Sequence, residues 1–159
     1  MKKTILFATI ILIGLASKAQ SPGYPDALYT EAERTRYQET SLNQDVMNFV
    51  QMLSAGSSLV SYEIMGTSKK GLEMPLVIMA NPGISTPEQA KASGKPVIYI
   101  QANIHGGEVE GKEASMIMMR EIAMGQKKYL LENQILLFCP VYNADGNEAL
   151  GPNNRPSQD

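Results

Sequence analysis

The sequence predicts an α/β domain with helices packed on a sheet. Two almost continuous apolar runs, residues 96–104 and 134–141, have the composition of strands covered on both faces. Residues 108–124 between them carry helical spacing. Residues 59–65 and 74–80 read as strands on either side of a polar turn at 66–71, which predicts a hairpin. At 159 residues there is room for one domain, and 43% hydrophobic with 19% charged residues describes a globular chain. A net charge of -2 excludes a broad basic footprint for nucleic acid. One cysteine, Cys139, excludes an intrachain disulfide framework, and one histidine, His105, confines imidazole chemistry to a single position.

Residues 1–19 read as a secretory signal peptide. Lys2 and Lys3 form a positive start, residues 5–15 an apolar stretch too short to span a bilayer, and Ser17 and Ala19 suit a signal peptidase. No cysteine follows the apolar stretch, so a lipid anchor is not expected. The expectation is a secreted or periplasmic domain over residues 20–159, with no stable membrane anchor after cleavage. Cys139 is then expected to be buried on its strand.

Thr30-Glu31-Ala32-Glu33 fits a capping box for a short helix, and Ser41-Leu42-Asn43-Gln44 fits a second. Leu42, Val46, Phe49, Val50 and Leu53 then recur at helical spacing, and Gly56 can end that helix. Residues 81–95 form a loop with a helical turn near 87–91.

The informative segment is Ile104-His105-Gly106-Gly107-Glu108, where a strand ends and a helix begins. Ligand sites in open α/β sheets favour the carboxyl ends of strands. On the following helix, Gly111, Ala114, Ser115, Met118, Met119 and Ile122 form a small-and-apolar stripe expected to face inward. Glu108 falls on that stripe, where a carboxylate needs a cation or donors. Glu110, Lys112, Glu113 and Arg120 lie off it and are expected to stay wet. Two glycines let His105 and Glu108 fold toward one point. Zinc accepts both donor types. The structural alternative is a histidine capping the strand end and a glutamate stabilising the helix N-terminus.

Two competing motifs are weaker. Residues 106–112 read G-x-x-x-x-G-K, but Glu113 stands where a P-loop needs a hydroxyl for Mg²⁺. Cys139 sits in the apolar run Ile135-Leu136-Leu137-Phe138, where a thiol is inert, and no G-x-S-x-G elbow is present.

With the strand before it, the His105–Glu108 segment resembles the zinc-binding segment of the carboxypeptidase A-like zinc metallocarboxypeptidases. Three further stretches resemble that family in order and spacing. Ile64-Met65-Gly66-Thr67-Ser68-Lys69-Lys70-Gly71 looks like its hairpin motif. Cys139-Pro140-Val141-Tyr142-Asn143-Ala144-Asp145-Gly146 looks like its strand followed by Asn-Pro-Asp-Gly, with Ala144 replacing proline. Asn154-Arg155 falls where the family carries an arginine-bearing substrate loop, although residues 151–153 lack the usual aromatic.

The resemblance covers residues 42–155 and implies a mixed sheet with helices on both faces, of which this chain supplies about the first half. It implies one Zn²⁺ held by His105 and Glu108, with Arg155 as the catalytic donor to a developing oxyanion. The implied activity is hydrolysis of C-terminal peptide bonds by metal-activated water. The family's third ligand, a later histidine, and its general-base glutamate have no position here, so the 159-residue chain alone is expected to be inactive. Asn143 and Asp145 are expected to shape a turn. Two other readings stay open: a related amide hydrolase or deacylase of the same fold, and a catalytically inactive binding remnant.

Overall fold

The computed structural model describes residues 23–151. The expected signal peptide and Arg155 lie outside the described residues. The elements run α1 (Glu31–Arg34), α2 (Asn43–Gly56), β1 (Val60–Thr67), β2 (Glu73–Met79), α3 (Pro87–Ser93), β3 (Val97–Gln101), α4 (Val109–Ala123), β4 (Ile135–Cys139) and α5 (Ala144–Glu148), with short 3-10 turns at Asp26–Leu28 and Lys128–Leu131. The four strands form one mixed sheet in the order β1-β2-β4-β3. β1 and β2 make the expected hairpin, β2 pairs antiparallel with β4, and β3 pairs parallel with β4 through the α4 crossover. The hairpin turn is shorter than expected: Gly66 lies inside β1, at a register irregularity between Ile64 and Gly66. A glycine is suited to such a bulge.

Alternation along the strands divides the core between the two faces of the sheet. Val77, Met79, Leu136 and Phe138 join Val46, Phe49, Val50 and Leu53 of α2 and Met116, Met119 and Ile122 of α4 in the main cluster. Ile78 and Leu137 point the other way and pack on the smaller cluster of Ala80, Ile84 and Ile135, beside Ala90 of α3. Helices therefore cover both faces, as expected, α2 and α4 on one and α3 on the other.

The caps follow from the sequence, with one exception. Thr30 and Glu33 close a reciprocal box on α1, and Thr86 with Gln89 does so on α3, which ends at Gly94 in the left-handed region. The box expected from Ser41 does not form. Leu42 is the N-cap of α2, and its N–H donates to Asp45 Oδ2 at 2.8 Å. The Ser41 hydroxyl instead donates to Glu113 Oε2, a long-range contact that local spacing cannot report.

Two expectations about burial are corrected. β3 is not covered on both faces: Val97, Ile98 and Tyr99 are 49%, 40% and 46% exposed. Among the described residues β3 is an edge strand, so one side of it has no neighbour. The inward face of α4 is also rotated from the expected stripe. Ser115, Met119 and Ile122 are buried as expected, but Gly111, Ala114 and Met118 are exposed, and Lys112, Glu113 and Arg120 are buried. These three charges can turn inward because other segments supply partners.

Arg120 shows how. Its guanidinium makes two parallel bonds to Glu33, at 2.7 and 2.8 Å, and donates to the Leu28 carbonyl at 2.7 Å. It lies 4.6 Å from the Tyr24 ring centroid and 5.1 Å from that of Tyr29. One buried cation thereby straps the N-terminal segment onto α4. No helix among the described residues is long and apolar enough to cross a membrane.

Candidate active site

The sheet's parallel pairing continues past the strand ends and builds a short platform. Ala102 N–H donates to the Cys139 carbonyl at 2.9 Å, Tyr142 N–H to that of Ala102 at 3.1 Å, and Asn143 N–H to that of Asn103 at 3.0 Å. From this platform the chain turns sharply into α4. Asn103 makes the turn, with φ at 52° in the left-handed region that asparagine tolerates best among non-glycine residues. Its buried side chain donates from Nδ2 to the carbonyls of His105 and Glu108, both at 3.2 Å. Glu108 N–H closes back on the His105 carbonyl at 3.0 Å. The loop is thus wrapped around one amide group. Gly111 lets α4 sit close against this platform, because an added Cβ would lie 3.3 Å from the Ala102 Cβ.

The wrapped loop brings His105 and Glu108 together. His105 Nδ1 lies 3.0 Å from Glu108 Oε2, and the two side chains are 52% and 36% exposed. Glu108 is the N-cap residue of α4, yet its side chain makes no cap bond. Its carboxylate is turned to the imidazole instead of its own helix. The expectation of a buried, inward Glu108 is therefore corrected: the pair faces a half-open surface. The donor set, one imidazole nitrogen and one carboxylate oxygen converging from a single loop, fits a divalent zinc ion. Among the described residues no third His, Cys, Asp or Glu side chain joins them to complete a metal site.

The competing motifs fail on geometry. Lys112 does not reach the loop that a P-loop lysine would serve. It is wholly buried and donates to the Ser41 carbonyl and to Asn147 Oδ1. Cys139 is buried, as expected, and burial pushes its thiol pKa up against the opposing hydrogen bonds of Tyr99 and the Val141 backbone. Asn143 caps α5 by accepting from Gly146 N–H at 2.9 Å, and its Nδ2 donates to the Ile104 carbonyl at 3.3 Å. It shapes the turn and braces the loop from behind.

Asn103 was not picked out by sequence spacing. The available signal was an asparagine between a strand end and a glycine pair, a common setting for a left-handed residue. Asn103→Ala should cost about 2–3 kcal/mol, combining backbone strain with loss of the donor to two part-buried carbonyls. Denaturant unfolding measures it. Asn103→Gly, which relieves only the strain, should fall between Asn103→Ala and the parent, and equal stability of all three would show that the amide does not hold the loop.

Comparison with known proteins agrees with this architecture. Its fold is that of the carboxypeptidases: carboxypeptidase A from Helicoverpa armigera superposes with a TM-score of 0.57 at 19% identity, over 67% of this chain and 25% of that one. Bovine thrombin-activatable fibrinolysis inhibitor, solved with a tick carboxypeptidase inhibitor, gives 0.55 at 14% identity, over 69% and 33%. The family model for zinc carboxypeptidases, Peptidase_M14, matches residues 46–158, and the chain belongs to that family. Carboxypeptidase 2 of Trichophyton rubrum is 26% identical over 107 residues, 65% of this chain and 20% of that protein. The chain thus spans about a fifth of the length of that curated relative.

Proposed function

We propose that this chain contributes to a zinc-dependent metallocarboxypeptidase that hydrolyses C-terminal peptide bonds, with His105 and Glu108 as two of the metal's protein ligands. The observation that carries the reading is the 3.0 Å convergence of these side chains at the carboxyl end of β3, in a chain of the zinc carboxypeptidase family. His105 would offer Nδ1, the ring atom already turned to the carboxylate, and Glu108 would offer Oε2. Bound zinc supplies a water of lowered pKa and polarises a carbonyl. The Asn103 amide and the Asn143 brace support this reading by holding the backbone of the loop that carries both side chains. Arg155 would donate to the oxyanion that develops on the scissile carbonyl. The substrate is a peptide, met outside the cytoplasm after removal of residues 1–19.

Catalytic zinc sites ordinarily use three protein ligands. The family resemblance implies a histidine as the third ligand and a glutamate as general base. Release of C-terminal residues from unblocked peptides should therefore need the completed fold, be abolished by chelation and return with zinc. The 159-residue chain alone should show none. Chelator-resistant release, or cleavage of an acylated amino acid in preference to a peptide, would reject the carboxypeptidase reading. Zinc-independent peptide binding without hydrolysis by the completed protein would favour an inactive binding remnant.

A further inference from the structure

One turn along α4 from Glu108 lies a buried polar knot that the proposed chemistry does not use. Lys112 and Asn147 are 0% exposed, as is Ser41, and Glu113 is 7% exposed. The Lys112 ammonium bridges the Ser41 carbonyl, ahead of α2, to Asn147 Oδ1 on α5, and lies 3.9 Å from Glu113 Oε1. Asn147 Nδ2 donates to the same Ser41 carbonyl at 3.2 Å. The Glu113 carboxylate is separately satisfied by the Thr40 hydroxyl at 2.8 Å, the Ser41 N–H at 2.6 Å and the Ser41 hydroxyl at 3.2 Å.

The knot joins the two helices that shape the site. Glu108 is the N-cap of α4, one turn before Lys112. Asn143 is the N-cap of α5, one turn before Asn147, and it grips the loop at the Ile104 and Asn103 carbonyls. Lys112 to Asn147 is a side-chain tether between the first turns of these helices. We propose that Lys112 is a positioning residue: by tying α4 to α5 it fixes Glu108 against His105. This rests on the proposed zinc site for its consequence, but the geometry it sets exists without metal.

The tether also carries an energetic cost. Burial lowers the Lys112 pKa to about 8, with Glu113 on its own helix, Glu148 on α5 and Asp45 on α2 pulling the other way. A depressed ammonium pKa means that keeping the charge at neutral pH costs fold stability, and the cost is relieved as pH rises from about 8 toward the ordinary lysine range. The directed hydrogen bonds of this buried ion are of the kind that fix a geometry.

His105 is the only histidine in the chain, so its imidazole NMR signals are unambiguous. In the 159-residue chain labelled with ¹⁵N-histidine, the parent should show a ring held in one tautomer. Lys112→Met should retain its far-UV circular dichroism, yet its ring signals should move to a mixed-tautomer average. Its Co²⁺ titration midpoint, followed at the same signals, should rise roughly 10–100-fold, as for loss of an outer-shell partner. Asn147→Leu, which leaves Lys112 its Ser41 and Glu113 partners, should act in the same direction and decides the matter if Lys112→Met does not fold. Unchanged ring signals in a folded variant of either kind would overturn the proposal. Glu108→Ala tests the zinc reading by itself: an unchanged Co²⁺ midpoint there would remove the metal site, while the ring signals of the Lys112 and Asn147 variants would still decide the tether.

Discussion

Under the proposed function, His105→Ala and Glu108→Ala are each expected to strip zinc from the completed protein and to abolish hydrolysis with it. On that reading each removes one ligand from a site that ordinarily has three. The loss in affinity should exceed the roughly 10–100-fold that disturbing an outer-shell partner costs. The fold should not register either change strongly. Both side chains are more than a third exposed and lie at the rim of a loop held by Asn103. Substitutions in such places usually shift stability by about 0.5 kcal/mol or less. Metal content after dialysis, read beside the thermal midpoint, therefore separates ligand loss from unfolding. Stoichiometric zinc in both variants would take these residues out of the metal shell. Glu108→Gln refines the reading: it keeps the shape and one acceptor oxygen but removes the charge, so it should fall between the parent and Glu108→Ala.

Arg120→Met is expected to have the largest effect on stability, about 3–5 kcal/mol. The arginine is 4% exposed and the Glu33 side chain 17% exposed. Removing the cation leaves the carboxylate at the base of α1 without its bidentate partner. It also leaves the Leu28 carbonyl without its donor, and Tyr24 and Tyr29 without the guanidinium they flank. For a domain of this size that is a fall in Tm on the order of 10 °C or more. The pH dependence has a definite sign. Burial raises the Glu33 carboxyl pKa, but hydrogen bonds from Arg120 and Thr30 outweigh it and hold the group below the ordinary glutamate range. A depressed carboxyl pKa stabilises the fold above the unfolded value and loses that contribution as pH falls through the folded one. The parent should therefore lose stability below the ordinary glutamate range more steeply than Arg120→Met. Parallel acid-unfolding curves would mean that the pair does not strap the N-terminal segment to α4. Glu33→Gln, with its donors retained, should be milder than Arg120→Met, and the double variant should be markedly non-additive.

Much of the fold was legible because it rests on local spacing. Val46, Phe49, Val50 and Leu53 recur at helical intervals, and all four are buried. The paired apolar runs around a helix gave β3, α4 and β4 in parallel, since a strand, a crossover helix and a strand have few other ways to pack. The site loop was legible as a place, a glycine pair between strand and helix. Its internal organisation was not, because the Asn103 amide bonds to carbonyls that only the folded turn brings within reach.

The corrected face of α4 has one physical cause. A charged residue belongs in water only when no partner meets it inside. Lys112, Glu113 and Arg120 find theirs on α5, on residues 40–41 and on the N-terminal segment, up to 92 positions away. Those contacts turn α4 and leave Gly111, Ala114 and Met118 exposed. Composition also cannot say whether an apolar strand has a neighbour on each side, which is why β3 was expected to be covered and lies at an edge among the described residues.

By itself the amino-acid order determined the alternation of helix and strand, the hairpin, the burial of Cys139 and the position of the one imidazole next to a carboxylate. These depend on periods of two and 3.6 residues and on glycine's freedom at a turn, all of which act over a few neighbours. Tertiary structure alone decided which face of α4 turns inward, how three charges are accommodated there, and that His105 and Glu108 meet at 3.0 Å on a half-open surface. The cost of burying a charge, and the aim of a side chain, are set by groups that the chain brings close only when it folds.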